Sequence, residues 1–148
     1  MRDDWSPSPS FEPPEETLGR LAPEPERLEG LQTIAATGDL ENLREVLARE
    51  LRAANVPPAK ALDMLVAATE VASNSRVHGG GIEEVRVGLA DGRFVCEIAD
   101  GGGGFEHLLA GYRPPLDGDP AGLWIARQRT WRLEFMRSAD GFTARLWL

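Results

Sequence analysis

The sequence has few of the residues that bind metals or form disulfides. Its 148 residues include one cysteine, Cys96, and two histidines, His78 and His107. A single cysteine excludes an intramolecular disulfide and a zinc site built from several cysteines. Two histidines also give little support to a metal-dependent hydrolase.

Long apolar segments are missing as well. No apolar run approaches the roughly 20 residues that a membrane-spanning helix requires, and the first seven residues contain no apolar segment of a signal peptide. The composition, with 42% hydrophobic and 27% charged residues, is typical of a globular protein, and the length suits one domain. We therefore expect a cytoplasmic protein that makes no contact with a membrane.

Positive charge is scarce and negative charge is unevenly spread. Lysine and arginine number 16 against 24 aspartates and glutamates, which gives a formal net charge of −8. Residues 1–30 carry −5 of this charge and six of the eleven prolines. Such a segment cannot bury a core, so we interpret residues 1–30 as a linker or tail and residues 31–148 as the domain. The lack of a basic stripe argues against direct binding of nucleic acid.

Hydrophobic periodicity and turn residues divide the domain into three helices and five strands. In order, the predicted elements are a strand at 31–36, helices at 40–55 and 59–78, strands around 85–89 and 94–98, a helix at 121–129, and strands at 132–137 and 142–148. Asp39 is expected to cap the first helix, and turns are expected at Asp91-Gly92 and Asp140-Gly141. This order favours an α+β two-layer sandwich, with a mixed, mostly antiparallel sheet and helices on one face.

The long predicted helix carries a row of polar residues. Because a helix turns by about 100° per residue, one face should point toward the core, and it consists of Leu62, Leu65, Val66, Thr69, Ser73 and Val77. Glu70 and Asn74 lie one turn apart on the rim of that face, and His78 continues the row. They are either ordinary boundary residues, which the spacing alone favours, or polar groups that project together into a cleft.

Two glycine-containing segments are candidates for ligand binding. Asp100 ends a predicted strand and is followed by four glycines and Phe105. Glycines let a backbone approach a ligand closely, although a plain loop explains them equally well. The segment is neither of the common phosphate-binding loops. The loop that ends in Gly-Lys-Ser/Thr is absent, since the only lysine is Lys60, and the glycines do not fit Gly-x-Gly-x-x-Gly. Gly122 begins a predicted helix, whose free amides would suit a phosphate, or it is a plain helix start.

The order of these segments carries a family resemblance. Glu70-x-x-x-Asn74-x-x-x-His78, Asp100-x-Gly102-x-Gly104-Phe105 and Gly122-Leu123-Trp124-Ile125 resemble the N, G1 and G2 boxes of the Bergerat-fold (GHKL, histidine-kinase-like) ATPases. Within that superfamily, residues 31–148 look like the anti-sigma-factor serine/threonine kinases of bacterial partner-switching systems. The resemblance implies a Bergerat fold that binds ATP and Mg²⁺.

The same resemblance implies a role for each box residue. Asp100 would accept a hydrogen bond from the amino group of adenine, and Asn74 would hold Mg²⁺ through its amide oxygen. Glu70 would be the catalytic base that takes a proton from a serine or threonine hydroxyl. The remaining residues of the implied nucleotide site are Gly102 and Gly104 near the base and lid, Gly122 near the phosphates, Thr143 in the adenine-side network, and His78, Phe105 and Leu123.

The resemblance also implies partners, and the chain departs from the family pattern at two positions. Such a protein would sequester a sigma factor and phosphorylate a STAS-domain antagonist. Pro120 and Ala121 stand where relatives have a glycine and often an arginine, so one backbone donor and one cation near the phosphates are missing. We therefore expect weakened nucleotide binding and slow phosphoryl transfer.

Three interpretations stay open. The domain is either a kinase or a non-catalytic interaction module with a degenerate nucleotide site, and it could also be the ATPase half of a larger sensor protein. If the sensor were a histidine kinase, it would need a phosphate-accepting histidine on a dimerisation hairpin. His78 lies in the N box and His107 in the expected lid, so this form of the third interpretation is weaker. Formation of a homodimer is left open by the sequence.

Two residue types are expected to serve packing. Cys96 alternates with Phe94 and Ile98 on one strand face, which predicts a buried, inert thiol. Trp124, Trp131 and Trp147 are expected to pack or to form an interface rather than stack on bases, since the chain is acidic.

Overall fold

The computed structural model describes residues 27–34, 39–78, 81–101, 122–138 and 141–148. Within these ranges the chain forms three helices and five strands. The helices are α1 (Leu40–Ala53), α2 (Pro58–His78) and α3 (Gly122–Arg129), and the strands are β1 (Gln32–Ile34), β2 (Ile82–Ala90), β3 (Arg93–Asp100), β4 (Arg132–Ser138) and β5 (Gly141–Trp147).

The five strands form one sheet in the order β1-β2-β3-β5-β4, and each pairing is antiparallel. Asp91 and Gly92 join β2 to β3 with φ angles of 52° and 72°. Two successive left-handed residues form the tight turn whose twist matches that of a hairpin, as Asp-Gly predicts. Helix α2 packs on the sheet, α1 packs on α2, and α3 contacts both α2 and β4, which confirms the α+β fold. The sheet was expected to be mixed, but in the described ranges it is antiparallel throughout.

Helix α1 follows its sequence pattern closely. Asp39 accepts a hydrogen bond from the backbone N–H of Glu41 at 2.9 Å through its carboxylate, which satisfies one of the free donors at the helix start. Leu43, Leu47 and Leu51 are buried at successive turns. The capping residue and the leucine spacing were both sufficient to predict this element.

Helix α2 has the predicted bounds, but its predicted core face is wrong. Leu62 is 57% exposed. Four other residues of the predicted face are only partly buried: Leu65, Val66, Thr69 and Ser73. The buried residues lie on roughly the opposite side: Met64, Ala67, Ala68, Val71, Ala72 and Ser75. Three of these six residues are alanines, whose small apolar side chains contribute little to a hydrophobic pattern.

The core between helices and sheet includes the cysteine. Phe94, Cys96 and Ile98 of β3 all point toward the helices, and the cysteine has no exposed surface. Burial, with a smaller contribution from Glu97, raises the pKa of the Cys96 thiol from 9.0 to about 12. The prediction of a buried thiol is confirmed.

The opposite face of the sheet carries a buried ion-pair network. The guanidinium of Arg145 donates to Glu97 at 2.8 Å, and the carboxylate of Glu97 also accepts from Arg86 at 2.9 Å. Arg145 lies 3.5 Å from Glu134, which accepts a hydrogen bond from the indole of Trp147 at 2.8 Å. Arg145 and Glu97 are only 3% and 5% exposed. The sequence pattern did not indicate this network.

The three predicted packing tryptophans differ in burial: Trp147 is buried, Trp124 is partly buried and Trp131 is mostly exposed. Trp131, which is 58% exposed, meets Trp147 edge to face. The guanidinium carbon of Arg93 lies 3.7 Å from the centre of the Trp131 ring, a cation–π contact. Among the helices that the structure describes, none has the length and apolar character needed to cross a membrane.

Candidate nucleotide site

Asp100, the predicted adenine-binding residue, lies at one end of the sheet. β3 ends there at Asp100, which lies opposite Ile82 at the start of β2 and Phe142 on β5. Residues paired across antiparallel strands point to the same face, and Ile82 and Phe142 both pack into the helix-facing core. The carboxylate of Asp100 is therefore on the face that α2 covers, and this residue is only 4% exposed.

The backbone of Asp100 is closely approached from β5. Gly141 has a φ of +150°, which only glycine adopts readily. A Cβ on residue 141 would overlap the carbonyl oxygen of Asp100 and would lie 3.2 Å from the Cα of Gly101. The approach of β5 to the end of β3 thus requires a glycine at position 141.

A second approach to the same peptide comes from β2. The register between β2 and β3 shifts between Ile82 and Glu84, so Glu83 is the extra residue of a β-bulge. Its Oε1 atom lies 2.6 Å from the point that a Cβ on Gly101 would occupy. The carboxylate of Glu83 therefore packs against Gly101, immediately after Asp100.

Two acidic residues of α2, Glu70 and Asp63, contact α3. Glu70 and Asn74 are partly buried and lie one turn apart, on the rim of the observed buried face. Oε2 of Glu70 is 2.6 Å from the position of a Cβ on Gly122, the first residue of α3. The two helices are also joined by an ion pair of 3.1 Å between Asp63 and Arg129. The N box and the G2 box are thus in direct contact.

The start of α3 has a fixed position relative to the sheet. Arg127 donates a hydrogen bond to the carbonyl of Leu133 on β4 at 2.7 Å. Ala126 is fully buried and Leu123 packs against the core, so the helix cannot shift without repacking. The first backbone amides of a helix have no partner within it and carry partial positive charge. They lie beside the Glu70 carboxylate at Gly122.

Several predicted residues cannot be placed. Gly102, Gly104 and Phe105 lie outside the described residues, as do Pro120 and Ala121. His78 is the last residue of α2, and its side chain is also outside the described part. Their assigned roles stay predictions.

Thr143 is not brought to Asp100. It stands between Phe142 and Ala144, which both point into the helix-facing core, and it pairs with Ala99 on β3. Because side chains alternate along a strand, Thr143 lies on the opposite face of the sheet from the Asp100 carboxylate. This geometry gives no support to a place for Thr143 in the adenine-side network, and Phe142 holds the corresponding position on the helix side.

The sequence did not indicate that Gly141 and Glu83 lie against the end of β3. Gly141 was predicted to lie in a turn, and a sequence does not show that another backbone lies against such a residue. Glu83 left a weak signal: the two consecutive glutamates, Glu83 and Glu84, break the alternation of apolar and polar residues in β2.

The residues present fit a magnesium nucleotide. A buried carboxylate at Asp100 suits an amino donor, and the amide oxygen of Asn74 is a ligand that Mg²⁺ accepts. In the described ranges, no three His, Cys, Asp or Glu side chains form a metal-binding cluster. A cation at Asn74 would therefore take most of its other ligands from phosphates and water, as Mg²⁺ usually does.

Comparison with protein families agrees with this geometry. Residues 34–147, about three quarters of the chain, match the family described as the histidine kinase-like ATPase domain. The matched range includes α1 to α3 and β2 to β5, and hence Glu70, Asn74, Asp100 and Gly122. No curated protein matches the chain.

Proposed function

The chain belongs to the histidine kinase-like ATPase family, whose domains bind ATP, and we propose that it is an anti-sigma factor with serine/threonine kinase activity. Its substrate would be a STAS-domain antagonist protein, and its other partner a sigma factor, in the cytoplasm of a bacterium. The contact between Glu70 and Gly122 carries the kinase part of this proposal. The partners are inferred from the resemblance of the three boxes to anti-sigma kinases.

Nucleotide binding uses three structural elements in this proposal. Asp100, at the end of β3, accepts a hydrogen bond from the adenine amino group, and a guanine carbonyl at that position would be repelled. Asn74 on α2 holds Mg²⁺, and the first amides of α3 face the phosphates. ATP supplies the transferable γ-phosphoryl group, and Mg²⁺ neutralises part of its charge.

Glu70 is the proposed catalytic base. Its carboxylate lies at the start of α3, beside the amides that would face the phosphates. There it can take the proton of a substrate hydroxyl as the serine or threonine oxygen bonds to the γ-phosphorus and the β–γ bridging bond breaks. The products are a phosphorylated antagonist and ADP. A base in this position supports a kinase over a domain that only binds nucleotide.

Calorimetric titration with Mg-ATP tests the binding part. We expect saturable binding by the full chain and weaker binding by Asp100→Asn and Asn74→Ala, each by roughly tenfold or more, since each removes a direct contact. Arg52→Ala, an exposed change at the end of α1, is the matched control and should bind as the parent does. No binding by the parent at millimolar Mg-ATP would overturn the proposal.

Transfer of labelled γ-phosphate to purified STAS-domain proteins tests the kinase part. Glu70→Gln keeps the size of the side chain but not its basicity, so it should still bind Mg-ATP and lose phosphoryl transfer. If the parent binds Mg-ATP and labels none of a panel of STAS-domain proteins, the kinase proposal is rejected. That result would favour the non-catalytic interaction module, whose nucleotide site only shapes a partner surface.

A further inference from the structure

The peptide that joins Asp100 to Gly101 is held from two sides. β2 and β5 flank β3 in the sheet, and each contributes one close contact. Gly141 of β5 lies against the carbonyl of Asp100, and the carboxylate of Glu83 of β2 lies against Gly101. These two residues are not members of the three boxes that indicate the nucleotide site.

We propose that Gly141 and Glu83 are positioning residues that fix Asp100 for the selection of adenine over guanine. The inference rests on the proposed ATP site, which it deepens. Neither residue needs to touch the nucleotide. Both act through the backbone of Asp100, so their effect should be on base preference.

Gly141 acts through steric exclusion. Its φ of +150° and the overlap that a Cβ would make with the Asp100 carbonyl mean that alanine at this position has to push β5 away from the end of β3. Asp100 pairs with Phe142, the next residue of β5. The displacement therefore acts on the backbone of Asp100 itself, rather than on residues further along the strand.

Glu83 limits movement on the other side. The bulge between Ile82 and Glu84 turns an additional side chain toward the end of β3, and its carboxylate packs on Gly101. A peptide that moves away from β5 moves toward this side chain. The two contacts together restrict Asp100 to one position across the sheet.

Base selection is sensitive to such a displacement. A carboxylate discriminates an amino group from a carbonyl through one directed hydrogen bond, which requires placement to within about 0.5 Å. Nucleotide contacts at the phosphates do not depend on this position. Displacing Asp100 should therefore weaken ATP binding, whereas the weaker binding of GTP should stay the same or increase slightly as the repulsion of the guanine carbonyl is relieved.

The test measures Mg-ATP and Mg-GTP affinities of the full chain by calorimetry. We expect Gly141→Ala to lower the ATP affinity by roughly tenfold to a hundredfold. The ratio of ATP affinity to GTP affinity should fall by about the same factor. Gly92→Ala is the matched control, since Gly92 also has a positive φ, +72°, with nothing within 4 Å of its Cβ position. It lies in the hairpin turn at the other end of β3 and should keep the ratio within about twofold of the parent.

Glu83→Ala keeps the proposal testable if Gly141→Ala does not fold. Glu83 is exposed, so its removal should leave folding intact. The ratio of ATP affinity to GTP affinity should fall about threefold or more. Glu84→Ala is its control, because Glu84 is an exposed neighbour whose carboxylate accepts a hydrogen bond from the Thr33 hydroxyl at 2.7 Å. If Glu83→Ala leaves the ratio of ATP affinity to GTP affinity unchanged, the role of Glu83 is overturned. If a folded Gly141→Ala protein leaves that ratio unchanged, the role of Gly141 is overturned.

A double-mutant cycle separates positioning from a general structural effect. In an Asp100→Asn background, Gly141→Ala should cost less than twofold further in ATP affinity, because the contact through which it acts is already gone. Equal losses for ATP and GTP, or full additivity with Asp100→Asn, would reject the inference. A parent chain that binds neither nucleotide would instead reject the proposed site itself, and the inference with it.

Discussion

The carboxylate of Glu70 on α2 lies directly against Gly122, the first residue of α3, with Oε2 2.6 Å from the position of a Cβ there. The two residues are 52 positions apart in the chain, yet the packing of α3 on α2 brings them together. A glycine at this point does more than begin a helix, because it leaves the space that the carboxylate occupies. The proposed base and the proposed phosphate-binding amides thus share one small volume.

Gly122→Ala should separate folding from activity. The added Cβ has to displace the Glu70 carboxylate, which is the end of a flexible side chain, so we expect the free energy of unfolding to change by less than about 1 kcal/mol. The base would lose its place, however, and phosphoryl transfer should fall roughly tenfold or more. Urea unfolding and a phosphate-transfer assay measure the two effects.

Gln128→Ala provides the comparison for that variant, since Gln128 is an exposed residue of the same helix. It should change neither stability nor transfer. Unimpaired transfer by Gly122→Ala would show that the position of Glu70 against α3 is not needed for the reaction.

Removing Glu97 should destabilise the fold strongly. Arg145 is 3% exposed, and Glu97 is its partner at 2.8 Å as well as that of Arg86. Glu97→Ala would leave a buried guanidinium without its nearest carboxylate, which typically costs about 3 to 5 kcal/mol. Urea unfolding monitored by circular dichroism gives this difference.

The control for Glu97→Ala is an ion pair near the surface. Arg129 and Asp63 lie 3.1 Å apart with side chains 48% and 28% exposed, so Arg129→Ala should cost no more than about 1 kcal/mol. Similar losses in the two variants would mean that burial does not determine the contribution of the Glu97 network.

Local signals were enough to predict most of the elements. Asp39 gave the start of α1, Asp91-Gly92 gave the hairpin, and Pro58 lies at the start of α2. Each of these residues acts on its own backbone, through a cap, a positive φ or a fixed φ. The order of Glu70, Asn74, Asp100 and Gly122 similarly indicated the family, which the match over residues 34–147 confirms.

Features that depend on packing were not available from the sequence. Helix α2 has apolar residues on all sides, so the periodicity that favoured the face with Leu62 over the face with Met64 and Ala68 was a weak signal. The close approach of Gly141 to Asp100 and the ion pair between Glu97 and Arg145 join different strands. They depend on the register of β3 with β5, which no local signal specifies.

The corrected face of α2 predicts contrasting effects for two of its side chains. Met64 has no exposed surface, whereas Leu62 is 57% exposed. Met64→Ala should cost about 2 to 5 kcal/mol through lost burial and a cavity, and Leu62→Ala less than about 1 kcal/mol. Thermal and urea unfolding of both variants test the assignment, and a larger loss for Leu62→Ala would restore the face that periodicity favoured.

Cys96 should make the stability fall in alkaline solution. Its pKa is raised to about 12 in the folded chain, against 9.0 for an exposed thiol. Between these values the folded protein keeps the proton and the unfolded chain loses it, so the free energy of unfolding decreases as pH rises, by at most about 1.4 kcal/mol per pH unit from this group. Cys96→Ala removes the contribution, and other titrating groups are shared by the two proteins and cancel in the difference. Urea unfolding of both proteins at pH 8, 9 and 10 should therefore show the stability of the parent falling more steeply above pH 9, and parallel curves would mean that the thiol ionises equally well in the folded state.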